Sequence, residues 1–179
     1  DAVIERAVVQ QDVDPVPASP RDAVIECFGG SEIGFNHREQ SWVRDLAQNN
    51  LSVRIREGLD KNHPVIEVED EGVGQPPSEF PDTFLSLNEN SKITKPYLIG
   101  KYGQGGSNTF DFCEFAIILS RHMDGGDIGW SIVRFNNRLD EEETYSDGVF
   151  EYCTLPDGSI PTIDEEHADD WTGSHIRLI

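Results

Sequence analysis

Residues 65–74, Val-Ile-Glu-Val-Glu-Asp-Glu-Gly-Val-Gly, constrain this chain more than any other stretch. The alternating apolar run over 65–69 predicts a strand, and the strand ends in a carboxylate, Asp70, followed by a Gly-x-Gly turn at Gly72 and Gly74. About thirty residues on, the segment 100–107 holds Gly100, Lys101, Gly103, Gln104, Gly105, Gly106 and Ser107, and runs into Asn108, Thr109 and Phe110. That is a glycine-rich loop opening a helix. Glycine is needed where backbone comes close to a ligand or takes positive φ. Bare amides at a helix N-terminus favour an anion. The two stretches together predict one carboxylate acceptor and one phosphate cradle.

A third piece lies upstream. Residues 37–50 predict a helix, with Asn36 and Glu39 in the spacing of a capping box. Val43, Leu46, Ala47 and Asn50 fall on one face. Asp45 and Asn49 are one turn apart and share a neighbouring face. An amide oxygen can ligate a hard cation, and an acid can orient or deprotonate a water.

The order is a helix with an acid and an Asn, then Asp-x-Gly-x-Gly, then a polar linker, then Gly-x-x-Gly-x-Gly-Gly-Ser, then a closing strand. It resembles the Bergerat-fold ATPases: gyrase, the ninety-kilodalton heat-shock chaperone, histidine kinases, MutL and the MORC proteins, with the chaperone and MORC branches closest in character. Residues 44–49, the set Asp70, Gly72 and Gly74, and residues 100–107 look like three of that family's boxes. Residues 173–178, opening on Gly173 and Ser174, are similar to its last, a turn into a strand. The resemblance runs from about residue 36 to the end. It implies an α+β fold, a two-layer sandwich whose mixed, mostly antiparallel sheet is covered on one face by helices. It also implies ATP and Mg²⁺ as ligands. Under that reading residues 23–179 form the ATP-binding domain, residues 1–22 an N-terminal arm, and the chain is a piece of a longer protein.

In the chemistry so implied, Asp70 accepts from the exocyclic amine of adenine, Gly74 lets the ring approach, and Gly72 shapes the turn. Asn49 holds Mg²⁺, which keeps several waters and takes few protein ligands. Gly103, Gln104, Gly105, Gly106 and Ser107 wrap the phosphates, Lys101 neutralises charge, and Ser174, in the last box, is a further nucleotide-binding residue. Asp45 takes the place of the general base. ATP-hydrolysing relatives usually carry Glu there, and Asp is one methylene shorter, so the attacking water would sit about an ångström away from its usual place. The expectation is therefore slow Mg-dependent ATP hydrolysis in a nucleotide-controlled conformational or dimerisation switch. The alternatives are a non-hydrolysing ATP-binding regulatory or scaffold module, and an acidic interaction domain that has lost its ligand. Histidine-kinase action is disfavoured, because it needs a separate helical domain with a phosphoacceptor.

Composition narrows the partners. The chain has 34 acids against 14 bases, a net charge of −20, and only four of the bases are lysine. Phosphate backbones and anionic membranes need basic clusters, so this domain is not expected to bind nucleic acid or membrane directly. The same imbalance points to a salt-rich cytoplasm that screens self-repulsion. No run approaches the roughly eighteen apolar residues of a membrane span, and no basic-then-apolar leader is visible. Three cysteines at 27, 113 and 153 lack metal or redox spacing, as do the five histidines. Reduced core thiols and a cytoplasmic location are the expectation. Trp42, Trp130 and Trp171 are read as core or edge aromatics.

The remaining segments give a coarse map. Residues 2–9 predict a helix or strand, the prolines at 15, 17 and 20 an extended arm without helix, and residues 22–28 a helix or strand. In dimeric relatives such an arm lies over a partner, so a homodimer through the arm or a lid is a possible assembly. Residues 52–56 predict a strand forming a hairpin with the strand that ends at Asp70. The link from Asn49 to Val53 is tight, so the helix must unwind at once or the sequence lacks residues there. The polar stretch 75–97 is the lid of the resembling family, with a short helix expected at 82–87. Residues 114–120 predict a central strand, 130–135 its antiparallel neighbour across a glycine-rich turn, and 149–155 and 175–179 two more.

Overall fold

A computed structural model of the chain describes residues 1–28, 48–58, 63–86, 94–99, 109–110, 112–136, 149–164, 166 and 171–179. Among them, seven strands form one sheet: β1 (Leu51–Arg56), β2 (Val65–Asp70), β3 (Phe115–Arg121), β4 (Ile128–Asn136), β5 (Val149–Tyr152), β6 (Thr162–Ile163) and β7 (Gly173–Leu178). The order across the sheet is β1-β2-β7-β3-β4-β5, with β6 also on β4. Every pairing is antiparallel. Among the described residues, the α-helices α1 (Ala2–Gln10) and α2 (Pro20–Phe28) and the 3-10 helix η1 (Pro77–Asp82) accompany the sheet, so the fold is α+β.

The hairpin expected before Asp70 forms, with Leu51 opposite Asp70 and Val53 opposite Val68. Residues 48–50 are helical and β1 begins at Leu51, so the helix gives way to the strand with no linker. The helix start expected near 108–110 is helical at Thr109 and Phe110.

The last strand begins two residues earlier than the pattern suggested, at Gly173, and β5 stops at Tyr152 instead of reaching 155. β6 was not anticipated; two residues are too few for an alternating pattern to register.

Two helices also differ from expectation. The proline-rich stretch does not stay extended to its end. Ser19 Oγ accepts from the Asp22 amide at 3.2 Å, and Pro20 occupies the first position of α2. A serine cap followed by proline is a helix opening, because proline's missing N–H is one the first turn leaves unused anyway. The short helix expected at 82–87 lies instead at 77–82, where Pro77 supplies the same start.

Rows of residues across an antiparallel sheet share a face. One face carries Ile66, Leu178, Ala116 and Val133 in a row, and Val68, Ile176, Ile118 and Ser131 in the next. Phe80 from η1 and Phe110 cover it, packing with Ala116, Ile118, Val133 and Ile160. The opposite face bears a charged ladder. Arg54 meets Glu69 at 3.1 Å, Arg56 meets Glu67 at 2.6 Å, and Arg177 approaches Glu67 at 3.6 Å.

A second, smaller cluster joins α1, α2 and the chain near 97: Val8, Ala23, Tyr97 and Leu98 are buried together. The N-terminal helix therefore lies on its own chain. Of the thiols, Cys27 and Cys113 are half-buried, but Cys153 is exposed, which corrects the expectation of three core cysteines. No helix among the described residues is long and apolar enough to cross a membrane.

Candidate functional site

The polar residues of the inner face gather at one end of the sheet. The row beyond Val68, Ile176 and Ile118 reads Asp70, Ser174, Ser120 and Gly129 across β2, β7, β3 and β4. Asp70 and Ser174, which the sequence places 104 residues apart, are direct register partners. Side chains so placed stand about 5 Å apart at Cβ on one face.

Ser120 ties the row together. Its hydroxyl donates to Gly173 O at 2.8 Å, lies 3.2 Å from Ser174 Oγ, and accepts from the Gln75 amide at 2.9 Å. Ser120 is fully buried. It closes a predicted strand, and one serine at the end of an apolar run carries no signal of a buried junction.

Asp70 shapes its own turn. Oδ1 accepts from the Gly72 amide at 2.8 Å, as an acid two residues before a turn amide commonly does. Both glycines of the turn have packing reasons. A Cβ on Gly72 would lie 2.8 Å from the Ala2 carbonyl carbon and 2.6 Å from Asp70 Oδ1. Gly74 takes φ +62°, and a Cβ there would lie 2.6 Å from the Arg121 carbonyl carbon and 3.0 Å from Gly173 O. The turn is wedged between the end of β3 and the start of β7, and Met123 N donates to Val73 O at 2.8 Å to fix it there.

Helix α1 braces the turn from outside. Val73 N donates to Ala2 O at 3.3 Å, and Arg6 Nη1 donates to Glu71 O at 2.8 Å. The same helix holds the segment 94–99: Lys95 pairs with Glu5, and Ile99 N donates to Asp1 Oδ1 at 2.9 Å. Asp1 sits at the N-cap position but makes no cap bond of its own. Its carboxylate serves the 94–99 segment instead.

Among the predicted site residues, the structure brings Asp70, Gly72, Gly74 and Ser174 to one end of the sheet. Asn49 is exposed in the helical residues just before β1. It lies two positions before Leu51, the partner of Asp70, and the adjacent Asn50 O accepts from Glu71 N at 3.0 Å. Asp45, Lys101, Gly103, Gln104, Gly105, Gly106 and Ser107 lie outside the described residues, as does the core of the expected lid at 87–93.

The donor set at Asp70 and Ser174, a carboxylate acceptor beside a hydroxyl that both donates and accepts, fits the polar edge of a flat heterocycle. No three His, Cys, Asp or Glu side chains among the described residues group as metal ligands. A Mg²⁺ held by one Asn and phosphate oxygens needs no such group. Thiolate chemistry is disfavoured at Cys27 and Cys113: burial pushes both thiols up, helped at Cys27 by Glu26 and opposed at Cys113 by a backbone hydrogen bond at Ile179. No family model matches the chain, and no curated protein does.

Proposed function

We propose that this chain is an ATP-binding domain of the Bergerat type, in which slow Mg-dependent hydrolysis drives a conformational or dimerisation switch. The observation that carries the reading is the register setting Asp70 beside Ser174, with the Gly72–Gly74 turn closing the same end of the sheet. Two motifs far apart in sequence meet at that end of the sheet, as a shared base-binding site requires. The base edge is read by Asp70 and Ser174. Asn49, next to that end, holds Mg²⁺ against the phosphates, and the loop at 103–107, with Lys101, grips the phosphate tail.

The finer architecture belongs to the same proposal: a two-layer sandwich with helices over the face that η1 and Phe110 begin to cover. So does a cytoplasmic setting, which suits three free cysteines. The downstream domain or client, and a homodimer through the N-terminal segment or lid, remain parts of the reading for experiment to assign.

Titration calorimetry with a non-hydrolysable ATP analogue and Mg²⁺ tests binding. Saturable heat that disappears in Asp70→Ala is the expected result, and no heat in the parent protein would leave only an acidic interaction domain. Phosphate release tests turnover. Asp45→Ala should abolish it while keeping binding. A parent protein that binds ATP without releasing phosphate would make the chain a non-hydrolysing module in which Asp45 is structural.

A further inference from the structure

The sheet face that carries the charged ladder also carries an apolar strip. Phe115, Ile117 and Leu119 on β3 stand there beside Trp130 and Ile132 on β4, with Ile117 opposite Ile132 and Leu119 opposite Trp130. None of the five is buried, whereas their inward neighbours Ala116, Ile118 and Val133 are. Neither hydrophobic cluster takes in any of them. An apolar strip left open in the middle of a sheet is the kind of surface that a further layer buries.

Charge limits what that layer can be. Arg134 and Glu151 border the strip on β4 and β5, and Arg177, Glu67 and Arg54 continue its row across β7, β2 and β1. With Arg56 and Glu69, the face holds four of the eight bases among the described residues but only three of their twenty acids. Acids dominate elsewhere, so two copies of a chain at −20 approach each other with least repulsion here. An apolar centre within a rim of arginine and glutamate is also the anatomy of a protein interface.

We infer that this face is an isologous interface with a second copy of the chain, formed without nucleotide and so independent of the proposed function. Sheets packed face to face lie about 10 Å apart with their strands roughly aligned. A two-fold axis along the line between β3 and β4 sets β3 over β4 of the second copy, so that strip meets strip. The same operation sets β7 over β5, because those two strands flank the pair. Arg177 on β7 then faces the strand that carries Glu151 in the second copy, and symmetry makes the contact twice. Within its own chain Arg177 is poorly paired. Its Nε is enclosed and bonds to no acceptor among the described residues, and Glu67, 3.6 Å away, already holds Arg56 at 2.6 Å. The Arg177 side chain is 43% exposed and that of Glu151 35%, so both are accessible from outside the sheet.

Sedimentation equilibrium of the nucleotide-free chain in about 0.1 M and 1 M salt tests this. The expected result is a dimer that tightens with salt, as repulsion between the copies is screened. Ile132→Glu should weaken it at least about tenfold. Ile132 is 38% exposed, so the new carboxylate reaches water in the monomer. Ile55→Glu, on the other face of β1 at a side chain 74% exposed, should leave the dimer intact. Arg177→Gln and Glu151→Gln report the charge contact. β7 and β5 are separated by β3 and β4 within one copy, so the two effects on dimer affinity couple only across the interface. A parent that is monomeric at about 1 mM in both salts overturns the inference, as does a dimer that Ile132→Glu leaves unchanged or that Ile55→Glu dissociates. If Ile132→Glu does not fold, the Arg177→Gln and Glu151→Gln pair decides alone: coupled losses support the interface, and strictly additive ones overturn it.

Discussion

Ser120 Oγ holds the Gln75 amide, the Gly173 carbonyl and the Ser174 hydroxyl within 3.2 Å at once. Ser120→Ala would leave a buried N–H and a buried carbonyl without their partner. We expect it to cost about 1–3 kcal/mol in urea denaturation. Gly74→Ala should cost about 2 kcal/mol or more, since the new methyl must take φ +62° against the Arg121 carbonyl. That loss should appear without nucleotide, because the clash is between parts of the chain itself. A Gly74→Ala protein that melts with the parent would mean the turn is free to move.

At the scale of elements, α1 holds two segments together: the turn at 71–73, and the stretch 94–99 that lies at the far end of the polar segment after it. Leu98 is fully buried in the cluster under α1 and α2. Leu98→Ala should therefore cost about 2–5 kcal/mol by denaturant titration. Hydrogen exchange should show faster exchange in α1 and at Val73 together, whereas a change confined to 94–99 would mean the helix is not the link.

The charged ladder on the other sheet face makes a pH prediction. Burial pushes the Glu67 carboxyl up, but the hydrogen bond and charge of Arg56, with Arg177 and His175, outweigh it and hold it below the ordinary 4.5. A carboxyl whose folded value is lowered stabilises the fold above its unfolded value. That contribution disappears as pH falls through the lower, folded value. Glu67→Gln should flatten the acid limb of a stability–pH curve below about pH 4.5, and an unchanged limb would show the ladder contributes nothing. On the inner face, β1 at the sheet's edge shows Val53 and Ile55 62% and 74% exposed. β-Branched residues on a pleated strand favour the strand whether or not that face is covered.

For the molecule as a whole, 34 acids against 14 bases make self-repulsion a term in stability. Raising salt from about 0.1 M to 1 M shortens the screening length from about 10 Å to about 3 Å. The melting temperature should rise over that range; a flat response would show that local pairs such as Arg54–Glu69 already balance the charge. On the proposed function, nucleotide should raise the melting temperature further by mass action at fixed salt. A ligand at a hundred times its dissociation constant adds about 2.7 kcal/mol to the folded state, enough to see in a melt.

The strands were legible where burial is one-sided or complete. Residues 65–69 and 115–119 announce themselves by alternation and by an unbroken apolar run, because those patterns are what a sheet face requires of local sequence. Asp70, Gly72, Gly74 and Ser174 were legible as motif residues, but the reason for the glycines was not. Ala2 and Arg121, which crowd Gly72 and Gly74, lie roughly 70 and 50 residues away. Proline marks both extended arms and helix openings, and at Pro20 only the Ser19 cap decides for the start of α2. Ser120 and Gln75 gave no signal, since a hydrogen bond to a distant strand leaves no trace in neighbouring residues. Local sequence fixed which segments become strands and turns, through side-chain periodicity and backbone freedom. The antiparallel order β2-β7-β3 alone decided that Asp70, Ser174 and Ser120 share one row, because strand register is set by packing across the whole sheet.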